Sequence, residues 1–170
     1  MKLIQAMKQI KDLQRKAEDL RGKISVQCAH MSFETPTYGD LQKEQVREWL
    51  QAHGDILKEI LRLRVAVQRT NLQTKVTIEL GGSAVEKTIA EWIHRRRDLA
   101  ELAQEAWSKL TDRGLKEGVV KNSQGETFEA KIVRNYDPKE RDGWLELYRS
   151  EPLTVDATLE VVNAVTDLVE

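Results

Sequence analysis

The chain has 170 residues, with 27 basic and 28 acidic side chains for a net charge of -1, 40% hydrophobic residues and 5% aromatics. That is one domain's length of polar, helix-rich chain, neither disordered nor fibrous, since prolines number 3 and glycines 9 and the mean hydropathy is -0.55. The balanced charge removes the global pull on which nonspecific binders of nucleic acid polymers rely, so any anion site here has to be assembled locally from a few residues.

From the start, Leu3, Ala6, Ile10, Leu13, Ala17, Leu20 and Ile24 recur at heptad spacing, which predicts a helix over residues 2–26. At 1.5 Å per residue it is about 38 Å long and needs partner helices to cover its stripe. Residues 32–40 carry Pro36, Thr37 and Gly39 and lose the period, so they read as a loop ending in Asp40 as N-cap. A second helix follows through Val46, Leu50, His53, Leu57, Ile60, Arg64, Val67 and Asn71, with Trp49, Ile56 and Leu63 widening the stripe. Residues 1–76 are therefore expected to form an antiparallel helical hairpin, in which polar His53, Arg64 and Asn71 fix the register or the oligomer state.

Residues 74–80 are β-branched and alternate, and Gly81-Gly82 closes them as an extended connection. Ser83-Ala84-Val85-Glu86 has the form of a capping box and predicts a third helix over residues 83–114, through Ile89, Trp92, Ile93, Leu99, Leu102, Ala106 and Leu110, with Gly114 as its stop. Residues 118–136 read as a β-hairpin turning at Asn122–Gly125 (Asn-Ser-Gln-Gly). Asp137-Pro138-Lys139-Glu140 is a helix start, although residues 143–148 also admit a third strand. Pro152 then interrupts a final helical segment, over residues 137–169, with its stripe at Val155, Leu159, Val162, Thr166 and Val169. The fold class expected is mainly α, a long coiled-coil-like antiparallel hairpin or bundle with a small β-hairpin insertion, as a single elongated domain over residues 1–170.

Two polar clusters stand out. Val67-x3-Asn71-x2-Thr74 closes the second helix and Leu159-x3-Asn163-x2-Thr166 closes the last. Asparagine and threonine at these places cap free carbonyls, but if the two ends meet, their amides and hydroxyls converge on one polar ligand. His94-Arg95-Arg96-Arg97-Asp98 is the densest positive run, and Arg69 lies beside Asn71. Arginines on a helix either pair with neighbouring acids or fork a phosphate or carboxylate.

Other signals are weak. Gly81-Gly82-Ser83 lacks the lysine and spacing of a phosphate loop, Cys28-Ala29-His30 has no second ligand pair to complete a metal site, and no nucleophile, zinc or dinucleotide motif occurs. No cofactor, metal or catalytic residue is expected. The single cysteine, the absence of an apolar run of about 18 residues and a first segment that interleaves charges with apolar residues lead us to expect a cytoplasmic protein off the membrane.

In order along the chain, the long first helix, Phe33-Glu34-x-Pro36, the run Arg69-Thr70-Asn71-Leu72-Gln73-Thr74, Arg97-Asp98-Leu99, the short strand at Ala130-Lys131-Ile132 and Asn163-x2-Thr166-x-Leu168 resemble an uncharacterised bacterial family of small helical proteins, some of which bear the automatic name septicolysin. The resemblance spans most of the chain and is most specific at Thr70-Asn71-x2-Thr74 and Arg97-Asp98. It implies no established activity. Pro152 in the last helix and Ala164 after Asn163 depart from the family pattern, and no segment reads as the membrane-inserting element that a lysin needs.

The function expected from these residues is that of a non-catalytic homo-oligomer binding an anionic small ligand, plausibly a nucleotide or nucleotide-derived signal that it stores, senses or sequesters, for instance in conflict between bacteria and phage. Arg69, Asn71, Thr74, Arg95, Arg96, Arg97, Asp98, Asn163 and Thr166 are its candidate binding residues. The alternative is a scaffold whose exposed heptads are themselves the function, with other copies of itself or other proteins as partners.

Overall fold

A computed structural model describes residues 1–169. Its architecture is mainly α with two small β-hairpins: α1 (Leu3–Gln27), α2 (Gln42–Gln73), β1 (Lys75–Leu80), β2 (Ser83–Thr88), α3 (Ile89–His94), α4 (Ala100–Ser108), β3 (Gly118–Lys121), β4 (Thr127–Ala130) and α5 (Pro138–Val165). The chain divides into two compact units. The first holds residues 1–75, 88–90 and those from 159 onward; the second holds Val76–Lys87 and Glu91–Thr158.

In the first unit α1 and α2 pack as the expected hairpin. Leu3, Ala6 and Ala17 of α1 are buried, as are Trp49, Ile60, Leu63, Ala66 and Thr70 of α2. Small residues at Ala6, Ala17 and Ala66 let the two backbones approach, while Trp49, Ile60 and Leu63 supply the buried volume. The connection is pinned by buried Gln42, whose amide donates to the Gln27 carbonyl at 2.9 Å and whose oxygen accepts from Tyr38 N–H at 3.0 Å. Gln42 thus satisfies a free carbonyl at the end of α1 and begins α2. Tyr38 meets Trp49 edge to face at 5.6 Å. α2 starts two residues after Asp40, because Gly39–Leu41 forms a single 3-10 turn.

The third helix does not begin at Ser83. Gly81 and Gly82 take φ of +58° and +81°, the paired left-handed geometry of a tight hairpin turn, so the chain doubles back and Ser83–Thr88 pairs with β1 as a strand. The turn geometry outweighs the local cap preference of Ser83 and Glu86, since extending residues 83–88 completes the ladder of β1. Helix resumes at Ile89 and ends at Ser108, ahead of the expected stop; positive φ at Arg113 and Gly114 turns the loop that follows.

β3 and β4 pair antiparallel from Gly118↔Ala130 to Lys121↔Thr127, with the Asn122 side chain accepting from the N–H groups of Gln124 and Glu126. α5 starts as the sequence indicates: Asp137 Oδ1 accepts from Lys139 N–H at 2.8 Å, with Pro138 at the first helical position. Residues 143–148 are helical, not a strand, and α5 continues through Pro152. Among the described residues no helix is long and apolar enough to cross a membrane.

Candidate functional site

The nine residues singled out in the sequence divide between the units. Arg69, Asn71, Thr74, Asn163 and Thr166 lie in the first; Arg95, Arg96, Arg97 and Asp98 lie in the second.

In the first unit the ends of α2 and α5 do meet. Thr70, fully buried, donates its hydroxyl to the Ala66 carbonyl at 2.8 Å and accepts from Val169 N–H at 2.9 Å. The start of α1 is stitched to the same place: Leu3 N–H donates to Thr166 O at 2.9 Å, Leu168 N–H donates to Met1 O at 2.8 Å, and Lys2 and Asp167 form a β-bridge. The Lys2 ammonium reaches the Val165 carbonyl at 2.8 Å and the Asp167 carboxylate at 2.9 Å, placing a cation at the C-terminus of α5. That ammonium holds the Asp167 carboxyl below the usual range.

Thr74 ends α2 through its main chain, its N–H donating to Thr70 O and its carbonyl accepting from Ile89 N–H. Asn163 and Thr166 are half-buried on α5 and just beyond it, and Arg69 is exposed on α2. Asn71 Oδ1 is buried with no hydrogen-bond partner. Thr70, between two singled-out positions, carries the contact that joins the helix ends; its place in the Thr70-Asn71-x2-Thr74 run was the signal available for it.

In the second unit the arginine run forms a π-helical turn, Arg95–Leu99, closed by Ala100 N–H donating to the Arg95 carbonyl five residues back. Such a turn inserts one residue and re-aims the side chains around it. Arg95 Nε and Nη2 donate to the two oxygens of Glu151 at 2.7 and 2.5 Å, and Glu151 is only 2% exposed. These bonds raise the Arg95 pKa further, against the opposing effect of burial. Arg96 pairs with Asp156 at 2.5 Å. Arg97 is exposed, donates to His94 Nδ1 at 3.1 Å and lies 3.6 Å from Asp98. The Arg95 and Arg96 charges are thus met by acids of α5, while Arg97 keeps a water-facing guanidinium.

Arg95 and Glu151 also line a cleft of about 340 Å³, with Val85 and Lys87 of β2, Trp92 of α3, and Trp144 and Tyr148 of α5. The Trp92 indole is fully buried and donates to Val76 O at 2.9 Å. Trp107, Trp144 and Tyr148 stack in a row, with ring centroids 5.7 and 5.4 Å apart and planes within 26° and 21° of parallel. The Arg95 guanidinium lies 5.6 Å from the Tyr148 ring centre, and the Lys87 ammonium lies 5.9 Å from that of Trp92. The Arg95 and Glu151 charges cancel, so Lys87 gives the cleft one net positive charge.

The turn of the β1–β2 hairpin forms the cleft's edge and is seated hard on α5: a Cβ at Gly81 would come within 2.9 Å of Leu147 Cδ1. The aromatic row is absent from the sequence reading. Trp144 and Tyr148 are one helical turn apart, which is its only sequence signal, and this signal exists only if residues 143–148 are read as helix.

No family model and no curated protein matches the chain. Among solved structures it is similar to the crystal structure of a functionally unknown conserved protein from Corynebacterium diphtheriae, with 21% identity, 99% of each chain covered and a TM-score of 0.58. That likeness is one of fold.

Proposed function

We propose that the protein is a non-catalytic binding protein whose second unit takes a planar, anionic small molecule of the mononucleotide class. The observation that carries this reading is the cleft in which near-parallel aromatic rings, a buried Arg95–Glu151 pair and the ammonium of Lys87 line one space of about 340 Å³. A base or similar ring stacks on the Trp144–Tyr148 row, and its single anionic group meets Lys87. The volume lies at the small end of ligand pockets, about 300–1,000 Å³, which suits one ring and one phosphate. Arg97, two residues past Arg95 and exposed, adds a second positive charge to this unit's attraction for an anion. The protein belongs in this reading to the uncharacterised family that its Thr70-Asn71-x2-Thr74 and Arg97-Asp98 stretches resemble, and it acts in the cytoplasm.

The test is a titration with nucleoside monophosphates, followed by tryptophan fluorescence and melting temperature, with inorganic phosphate and the free nucleosides as component controls. A saturable quench and a rise in Tm are expected for at least one monophosphate. Tyr148→Leu should weaken binding by roughly 5- to 150-fold, the span of about 1–3 kcal/mol per stacked base. No response to any monophosphate at about a thousand times a micromolar dissociation constant would refute the assignment.

A further inference from the structure

α2 carries two apolar faces. One, through Trp49, Ile60, Leu63 and Ala66, is buried. The other is exposed: Leu50, Leu57, Leu61, Val65 and Leu72, with Leu61 and Leu72 each 64% accessible. At 100° per residue these five side chains fall within about 80° of one another and form a stripe about 33 Å long. Gly54 and Gln68 fill its two gaps.

The spacing of this stripe is the same read from either end. Leu50 and Leu72 are equally far from Leu61, as are Gly54 and Gln68, and as are Leu57 and Val65. About a two-fold axis this symmetric spacing sets apolar residues against apolar residues, because the axis places each residue beyond the centre against the one equally far before it on the other copy. Laid antiparallel on itself, the stripe matches Leu50 to Leu72, Leu57 to Val65 and Leu61 to Leu61, and sets Gly54, without a side chain, opposite long Gln68.

Gly54 gives a second, independent observation. A glycine inside a helix costs about 1 kcal/mol relative to alanine. Within its own protomer nothing lies within 4 Å of a Cβ placed there, so no internal contact accounts for it. In the antiparallel match that open space receives Gln68 of the other copy. The extent is also sufficient. The five aliphatic side chains expose roughly 450 Å² per protomer, so a pair covers roughly 900 Å², and the stems of Arg47, Arg64 and Gln68 bring the contact to the ~1,200 Å² of small specific interfaces. Lys58, which borders the stripe at about 100° per residue, is ion-paired with Asp55, so this edge carries both signs of charge toward an approaching copy.

We infer that α2 pairs antiparallel with α2 of a second copy of this chain, about a two-fold axis at Leu61. The inference stands apart from the ligand cleft, whose residues all lie outside α2.

The full chain is examined by analytical ultracentrifugation, with circular dichroism as a check on folding. The wild type should sediment as a dimer, at twice the 19.5 kDa chain mass. Leu61→Glu sets two carboxylates together at the axis, and Gly54→Trp fills the space that Gln68 needs. Each should raise the dissociation constant at least about tenfold and leave the helical signal unchanged, because both positions lack close internal neighbours. A spin label at Gln51→Cys in a Cys28→Ser background should lie about 30 Å from its copy, since position 51 stands ten residues from the axis on each α2. A monomer at about 100 μM, a dimer indifferent to both substitutions, or a label separation below about 15 Å would overturn the pairing.

Discussion

Replacing Arg95 by methionine removes the cationic half of the Arg95–Glu151 pair and keeps most of its volume. Glu151 is then left as a carboxylate with 3% of its side chain accessible and both oxygens unpaired. Stranding a buried charge in this way costs about 3–5 kcal/mol, a large share of the roughly 5–15 kcal/mol that holds a domain together. At about 2–4 °C per kcal/mol for a chain of this size, Tm should fall by roughly 6–20 °C. The reverse deletion, Glu151→Gln, should cost less, because the Arg95 side chain keeps 23% of its accessibility and its guanidinium can turn to water. The double variant Arg95→Met/Glu151→Leu should recover most of the loss, since two packed apolar side chains leave no charge to desolvate. Urea unfolding followed by tryptophan fluorescence is the assay, because Trp92, Trp107 and Trp144 all lie in the unit that holds the pair. A loss below about 1 kcal/mol in Arg95→Met, or single effects that simply add in the double variant, would refute the account of a mutually dependent buried pair.

Three further outcomes follow from other parts of the structure. Asn71→Leu should raise the stability of the protein by about 1 kcal/mol or more, because its Oδ1 is desolvated with no hydrogen bond to repay the cost; thermal melts measure the gain, and a loss of stability would count against that reading. Gly81→Ala should destabilise by about 1–3 kcal/mol, through its positive φ and the 2.9 Å approach to Leu147, and by more than Gly82→Ala, which has open space around it.

Acid should weaken the fold. Asp167 is held low by Lys2, and Asp112 by the bidentate Arg134 with help from Tyr136 and Arg141. A depressed folded pKa gives stability that is complete above the ordinary aspartate value and is lost as pH falls through the folded one. Asp167→Asn and Asp112→Asn should therefore flatten the acid side of the Tm–pH curve; an unchanged slope in both would count against these pairings.

The helices were legible because their signals are local. Heptad spacing in α1, the widened stripe of α2 and the Asp137-Pro138 start of α5 each depend on residues within a few turns. Ser83–Thr88 was misread for the converse reason: its capping-box letters are local, but its strand conformation depends on pairing with β1 across Gly81-Gly82. The π turn at Arg95–Leu99 has no local pattern, and the acids that meet its first two arginines, Glu151 and Asp156, lie more than 50 positions away. The meeting of the α2 and α5 ends is legible as an internal echo, Asn71-x2-Thr74 and Asn163-x2-Thr166, at the close of the two helices. The cleft was missed: Lys87 and Val85 were assigned to the wrong secondary structure, and Trp144 and Tyr148 stood in a segment whose conformation the sequence left open.

The bridge between Lys2 and Asp167 has a kinetic consequence. It joins positions 165 residues apart, and closing a loop of nearly the whole chain costs about 4–5 kcal/mol of chain entropy before any contact compensates. Docking of the first turn of α1 against the segment after α5 should therefore come late in folding, behind the local α1–α2 hairpin. The amides of Leu3 and Leu168, hydrogen-bonded only across that closure, should exchange with solvent sooner than those in the middle of α2. A circular permutant that joins the two termini and opens at the exposed β3–β4 turn turns this distant closure into a neighbouring one and should refold faster than the native order of the chain.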